Sequence, residues 1–173
     1  HFEDIKIKFV EDEDNKLKII AEPFDRGYAV TVGNALRRTL MTSVPGAAIT
    51  SIKIDGVQHE FSSIDGILED VSDIILNLKE VIFKTINDGP EQIHLSLKGP
   101  KEFRAEDIAT QLNDFEILNP DHLIATLNDK ASLEIDIRVS RGKGYSTAEK
   151  NKRSDDVIGT IPIDSIFNPI TNV

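Results

Sequence analysis

The side chains able to do chemistry in this chain are four histidines and thirty carboxylates, with no cysteine to supply a thiolate or a disulfide. A metal centre gains from two imidazoles on one side of a strand or helix. His1, His59, His94 and His122 show neither the H-x-H nor the H-x-x-x-H spacing that provides this, so no metal site is expected. His94 shares the polar parity of Gln92 and Ser96 and reads as a surface histidine. With so many acids, neighbouring carboxylates are inevitable and carry little meaning. Glu11 to Asp14 lacks the alternating ligands and distant closing glutamate of a calcium loop; it reads as a solvated turn, as does Asp155-Asp156. Gly142-Lys143-Gly144 is basic and flexible but lacks the longer spacing and following hydroxyl of a nucleotide-binding loop. Arg26-Gly27 and Gly33 flank a helix start whose free amides could meet an anion. The simpler reading is a turn at Gly27 and close packing at Gly33. No serine sits in a nucleophile elbow. No cofactor and no independent active site are expected.

What remains is a helix with two usable faces. Thr31 to Val44 carries Val32, Leu36, Leu40 and Val44 on one stripe, while Asn34, Arg38 and Met41 point almost the other way and Arg37 lies at the flank. Thr31 is placed to cap the helix, and Pro45-Gly46 to stop it. The apolar stripe is expected to pack on the chain's own sheet. The other face offers a guanidinium fork beside a flexible hydrophobe, residue types enriched at protein interfaces.

Around this helix the chain alternates. Phe2, Ile5, Ile7 and Phe9 predict a strand ended by the acidic run; Leu17, Ile19 and Ala21 predict an antiparallel partner. Ile49, Ile52 and Ile54 give a third strand, and Asp55-Gly56 a turn into a strand over 57–61. Ile67, Leu68, Val71, Ile74, Ile75 and Leu78 predict a second helix starting near Asp65-Gly66. Strands follow at 81–86, expected to be buried, at 93–97, at 123–127 and at 133–139, the last alternating most cleanly. Ala105 to Ile108 suits one helical turn. Val157 to Ile163 is an edge-strand candidate because of Pro162. The polar stretch Ser146 to Asp156 is read as a mobile loop. The expected class is α+β: two subdomains with antiparallel or mixed sheets, each with a packed helix.

A net charge of −10 opposes attraction to a phosphate backbone. The densest cationic stretch, Arg138 to Arg153, also holds Glu149 and a single aromatic residue, Tyr145, and reads as a solvated loop. No run approaches the ~18 apolar residues that a membrane span needs. His1 to Lys6 shows no secretory leader.

The segment Glu22 to Gly46, with Val32-Gly33-Asn34-Ala35-Leu36-Arg37-Arg38 at its centre, closely resembles the signature of bacterial RNA polymerase alpha subunits. Ile54 to Ser62, Glu69-Asp70 leading to Ile75-Leu76-Asn77-Leu78-Lys79, and Arg141 to Tyr145 support the resemblance. It implies one domain inserted in another: residues 1–50 plus 163–173 forming an incomplete dimerisation domain, and 51–162 an insert that helps dock the large subunits. It implies a non-catalytic, cytoplasmic assembly scaffold whose partners are a second alpha subunit, beta and beta prime. No direct DNA or membrane contact by this segment is implied. Arg38 takes the place of the arginine associated with binding beta, with Met41 as the nearby apolar contact; Asn34, Arg37, Lys79, Arg141 and Lys143 are further interface candidates. The family's final strand and long helix would follow Val173. The alternative is a soluble adaptor that recognises a different protein through the exposed face of helix 31–44.

Overall fold

A computed structural model describes residues 4–13 and 15–173. The chain divides into two compact units, His1–Leu40 and Met41–Val173. In the first, β1 (Lys6–Glu13) pairs antiparallel with β2 (Lys16–Glu22). Phe2, assigned to the strand by its alternation, lies outside the described residues. The acidic run does not end β1. Glu11 sits opposite Lys18 and Glu13 opposite Lys16, with a register shift between Phe9 and Glu11, because opposite charges across a ladder favour pairing. Gly27, at φ 86°, turns the chain into α1 (Tyr28–Thr42).

That helix begins three residues earlier than its predicted cap. Thr31 lies inside it and donates its hydroxyl back to the Gly27 carbonyl at 3.4 Å. The larger correction concerns the apolar stripe, which is not buried in the chain's own sheet. Leu36 remains 58% exposed and Leu40 37%, while Val32 and Val44 are half-buried. Nor does Gly33 serve close packing, since a Cβ there would meet nothing within 4 Å.

In the second unit four antiparallel strands form the main sheet in the order β11-β3-β9-β5. These are β3 (Pro45–Ile54), β5 (Glu91–Lys98), β9 (Ser132–Lys143) and β11 (Ile161–Pro162). Period-two alternation puts Ile93, Leu95 and Leu97 of β5, and Leu133, Ile135, Ile137 and Val139 of β9, on the same buried side. Each fully buried aliphatic side chain there contributes about 1.5–3 kcal/mol relative to exposure. The core is completed by α2 (Val71–Lys79) and α3 (Ala105–Ala109), by β4 (Phe83–Thr85) paired with β7 (Phe115–Ile117), and by β6 (Lys101–Arg104) paired with β8 (Leu123–Leu127). The short pair β10 (Tyr145–Ser146) and β12 (Ser165–Ile166) flanks α4 (Ala148–Asn151). The α+β class therefore holds, with antiparallel sheets throughout the described strands.

Three boundaries differ from expectation. Residues 57–61 form no strand: after Gly56, at φ 82°, Val57 is buried but Phe61 is 80% exposed. The second helix starts at Val71, because the preceding residues satisfy their backbone elsewhere. Ile67 bridges to Leu127, the Leu68 amide donates to the Thr126 carbonyl at 3.0 Å, and the Glu69 carboxylate accepts from the Thr126 amide at 2.6 Å and its hydroxyl at 2.9 Å. Finally, the stretch 81–86 is one-sided rather than buried. Val81 and Phe83 point inward, whereas Ile82 and Ile86 are 52% and 57% exposed.

Candidate functional site

Helix geometry places Asn34, Arg38 and Met41 on one side of α1, at spacings of four and three. Asn34, Arg37 and Arg38 are exposed and Met41 is half-buried. The opposite stripe, as described, is also open. This amphipathic helix thus has no buried residue on either face.

A second surface lies in the 41–173 unit. Phe61, Ile75, Leu76, Pro162 and Ile163 line a groove of about 320 Å³, with Glu60, Lys79 and Asp164 at its polar margin. Leu76 is 57% exposed, one helical position of α2 that turns away from the buried Val71, Ile74 and Leu78. The Ala148 amide and the Tyr145 hydroxyl bond to Asp164 and hold its carboxyl below the usual range, with Lys79 adding its charge. Tyr145 is correspondingly pushed up, by desolvation and by that same anion. Lys79 is thus one of the predicted interface residues that lie beside exposed apolar surface.

Arg141 and Lys143 lie on β9, and the Arg141 guanidinium donates to Asp88 at 2.7 Å. Gly142 between them, with Gly46 and Gly144, has a packing role. Gly142 pairs in register with Gly46, and a Cβ on the first would come within 2.8 Å of the Phe167 ring, on the second within 1.8 Å of the Phe167 carbonyl oxygen. Gly144, at φ 60°, accepts from the Phe167 amide at 2.8 Å. This is a slot for Phe167 rather than a phosphate cradle.

The stretch Ser146 to Asp156, expected to be mobile, is held by hydrogen bonds. Asn151 donates its amide to the Ile163 carbonyl at 2.7 Å and the Ser165 hydroxyl at 3.0 Å, and accepts from Ser146 at 2.9 Å. Arg138 anchors it from the sheet. Its guanidinium reaches Thr50 at 3.3 Å, Asp156 at 2.8 Å and the Asn151 carbonyl at 2.9 Å. The pair Arg138 and Asp156 is nearly enclosed, with side chains 8% and 13% exposed. Burial alone would raise the Asp156 carboxyl; the Arg153 amide and Arg138 outweigh it, and the group lies below its ordinary value. Among the described residues no group of three or more His, Cys, Asp or Glu is placed to hold a metal ion, and no helix is long and apolar enough to cross a membrane.

Residues 52–168 match the family described as RNA polymerase Rpb3/RpoA insert domain. The chain belongs to this RNA polymerase alpha family. It is 57% identical over 156 residues to the DNA-directed RNA polymerase subunit alpha of Chloroherpeton thalassium, covering 90% of this chain and 48% of that protein. The subunit alpha of Salinibacter ruber is 52% identical over 160 residues, covering 92% and 49%. That of Leptospira biflexa serovar Patoc is 53% identical over 173 residues, covering 97% and 53%. The chain spans about half the length of the curated relatives it matches.

Within this alpha-family chain, sequence reasoning missed both Arg138 and the groove. Arg138 has the parity of Glu134 and Asp136, so the alternation places it on a wet face. Only the later return of Asp156 and Asn151 over that face encloses it. The groove joins Phe61, Leu76 and Pro162, too far apart in sequence for any periodicity to connect.

Proposed function

We propose that this chain is a non-catalytic assembly scaffold of bacterial RNA polymerase: with a second alpha copy it forms a platform that captures beta and beta prime for DNA-templated RNA synthesis. The observation that carries this reading is α1, whose residues include no buried side chain although Val30, Leu36 and Tyr28 are 70%, 58% and 56% exposed. Such a helix leaves apolar area for a neighbour, and Arg38 with Met41 supplies the residue types of an interaction hot spot. In this reading the apolar stripe serves the dimer, while Arg38 and Met41, with Asn34 and Arg37 beside them, meet beta. Lys79 and the Phe61–Leu76 groove, with Arg141 and Lys143, are further large-subunit contacts. Bringing large subunits together costs about 4–15 kcal/mol in lost translational and rotational freedom; a preassembled dimer has met part of that cost in advance.

The domain arrangement we favour is 1–50 with 163–173, and an insert over 51–162. It is supported by the return of the chain's later residues to β3: the Ser165 hydroxyl donates to the Ile49 carbonyl at 2.7 Å and the Ile163 amide to the Thr50 carbonyl at 2.9 Å. The net charge of −10 supports a role in protein assembly rather than DNA contact.

The test is co-purification of tagged R38A alpha with beta. A hot-spot arginine contributes about 2 kcal/mol or more, so capture should weaken at least ~30-fold with the alpha fold unchanged. Wild-type recovery of beta by R38A would remove Arg38 from the interface.

A further inference from the structure

The sheet face that carries Arg138 also carries, on its edge strand, a histidine that the scaffold role does not use. His94, on the edge strand β5, sits directly opposite Asp136 of β9 and diagonal to Glu134. Its Nδ1 lies 2.6 Å from the Asp136 carboxylate and its Nε2 2.7 Å from that of Glu134, whose other oxygen accepts from the Ser96 hydroxyl at 2.5 Å. An ionised carboxylate only accepts, and a neutral imidazole has one N–H to give. Both contacts are satisfied together only when both ring nitrogens carry protons.

We propose that His94 is a proton-operated staple: as imidazolium it ties the edge strand β5 to β9 through two carboxylates at once, and on losing a proton it lets one of them go. The surroundings favour the charged form. Glu134 and Asp136 stand two residues apart on one strand and repel each other unless a cation lies between them. Of the charged groups on this face, Lys53 lies across Asp136 on the β3 side and pairs with Asp55 at 3.4 Å; Lys98 acts on Glu134; Arg138 is committed to Asp156; and Arg153, which shares a pocket with Asp136 and Asp155, also acts on Asp156. Gln92 and Ser96, the neighbours of His94 on β5, are neutral. Bonds to Asp136 and then Glu134 raise the proton affinity of His94 above its ordinary value near 6.5. Ser96 and then His94 hold Glu134 below the usual range.

The sign follows from these directions. The His94 contribution is complete below the ordinary histidine value and is lost as pH rises through its folded value; that of Glu134 is lost as pH falls through its own. The staple is closed between the two. Because β5 ends the sheet, opening it loosens an edge rather than the core.

The test follows the His94 ring by NMR in the full chain from about pH 5 to about pH 10, with H94Q locating its signal among the other histidines. Backbone amide exchange across β5 is compared with H94Q at each pH. His94 should titrate above the ordinary value, and fall back toward it in E134Q and in D136N. Protection of β5 over H94Q should be about two- to fivefold at low pH, the range that exposed charge pairs give, and vanish once His94 is neutral. Titration at or below the ordinary value, or a protection ratio independent of pH, overturns the proposal.

Discussion

Residues 4–40 and residues 41–173 both carry many apolar side chains but treat them differently. No described residue of the first stretch is buried, whereas the second encloses Ile52, Ile74, Phe103, Ile135 and Ile137 almost completely. In the second, buried polar groups are also matched: among the described residues no buried side-chain nitrogen or oxygen lacks a partner. The difference separates residues that specify the fold from those that the proposed scaffold role would leave for a partner. Both kinds are apolar and periodic, and only what covers them tells them apart.

The comparison is easiest to break at its extremes. Phe103→Ala, at a position with no exposure, should lose about 3–5 kcal/mol in denaturant unfolding. Leu36→Ala, 58% exposed, should move the same transition by no more than ~0.5 kcal/mol while weakening self-association in sedimentation. A large loss from Leu36→Ala would mean that this helix face serves the chain's own stability after all.

Next comes the buried ion pair. Asp156→Ala strands the Arg138 guanidinium and should lose about 3 kcal/mol, the low end for such a pair because Asp156 keeps some access to water. Changing Arg138→Met as well should restore much of it. Because the folded carboxyl lies below its ordinary value, its contribution is present above the unfolded value and disappears as pH falls through the folded one. Acid unfolding of D156N should therefore be less steep than that of the parent. The smallest effect belongs to the hairpin. Glu11 and Lys16 approach at 3.7 Å with side chains 45% and 67% exposed, so Glu11→Gln should change stability by under ~0.5 kcal/mol, and salt should erase even that.

Much of the second unit was legible because period-two alternation reports one buried face directly. Leu133 to Val139 and Ile93 to Leu97 lie where that pattern puts them. Periodicity is silent about what covers a face. It identifies the stripe Val32, Leu36, Leu40 and Val44 but cannot say whether the cover is this chain or another. The same limit hides Arg138, whose burial depends on a segment thirteen to eighteen residues later folding back over the sheet. Helical spacing was ambiguous at Ile67 and Leu68, where a β-bridge and a backbone bond to Thr126 use the residues instead. Helical spacing alone leaves Arg38 and Met41 together on one face, and the resemblance of Glu22 to Gly46 to a family signature then implies a partner for that face.

The Asn151 amide is a point where an aspartate could not stand in. Its nitrogen gives hydrogens to Ile163 and Ser165 while its oxygen receives one from Ser146. A carboxylate in its place would have nearly the same volume, yet it would replace those two hydrogens with a second acceptor and set an anion against the Ile163 carbonyl. One side-chain nitrogen therefore acts as the catch for residues 146–156.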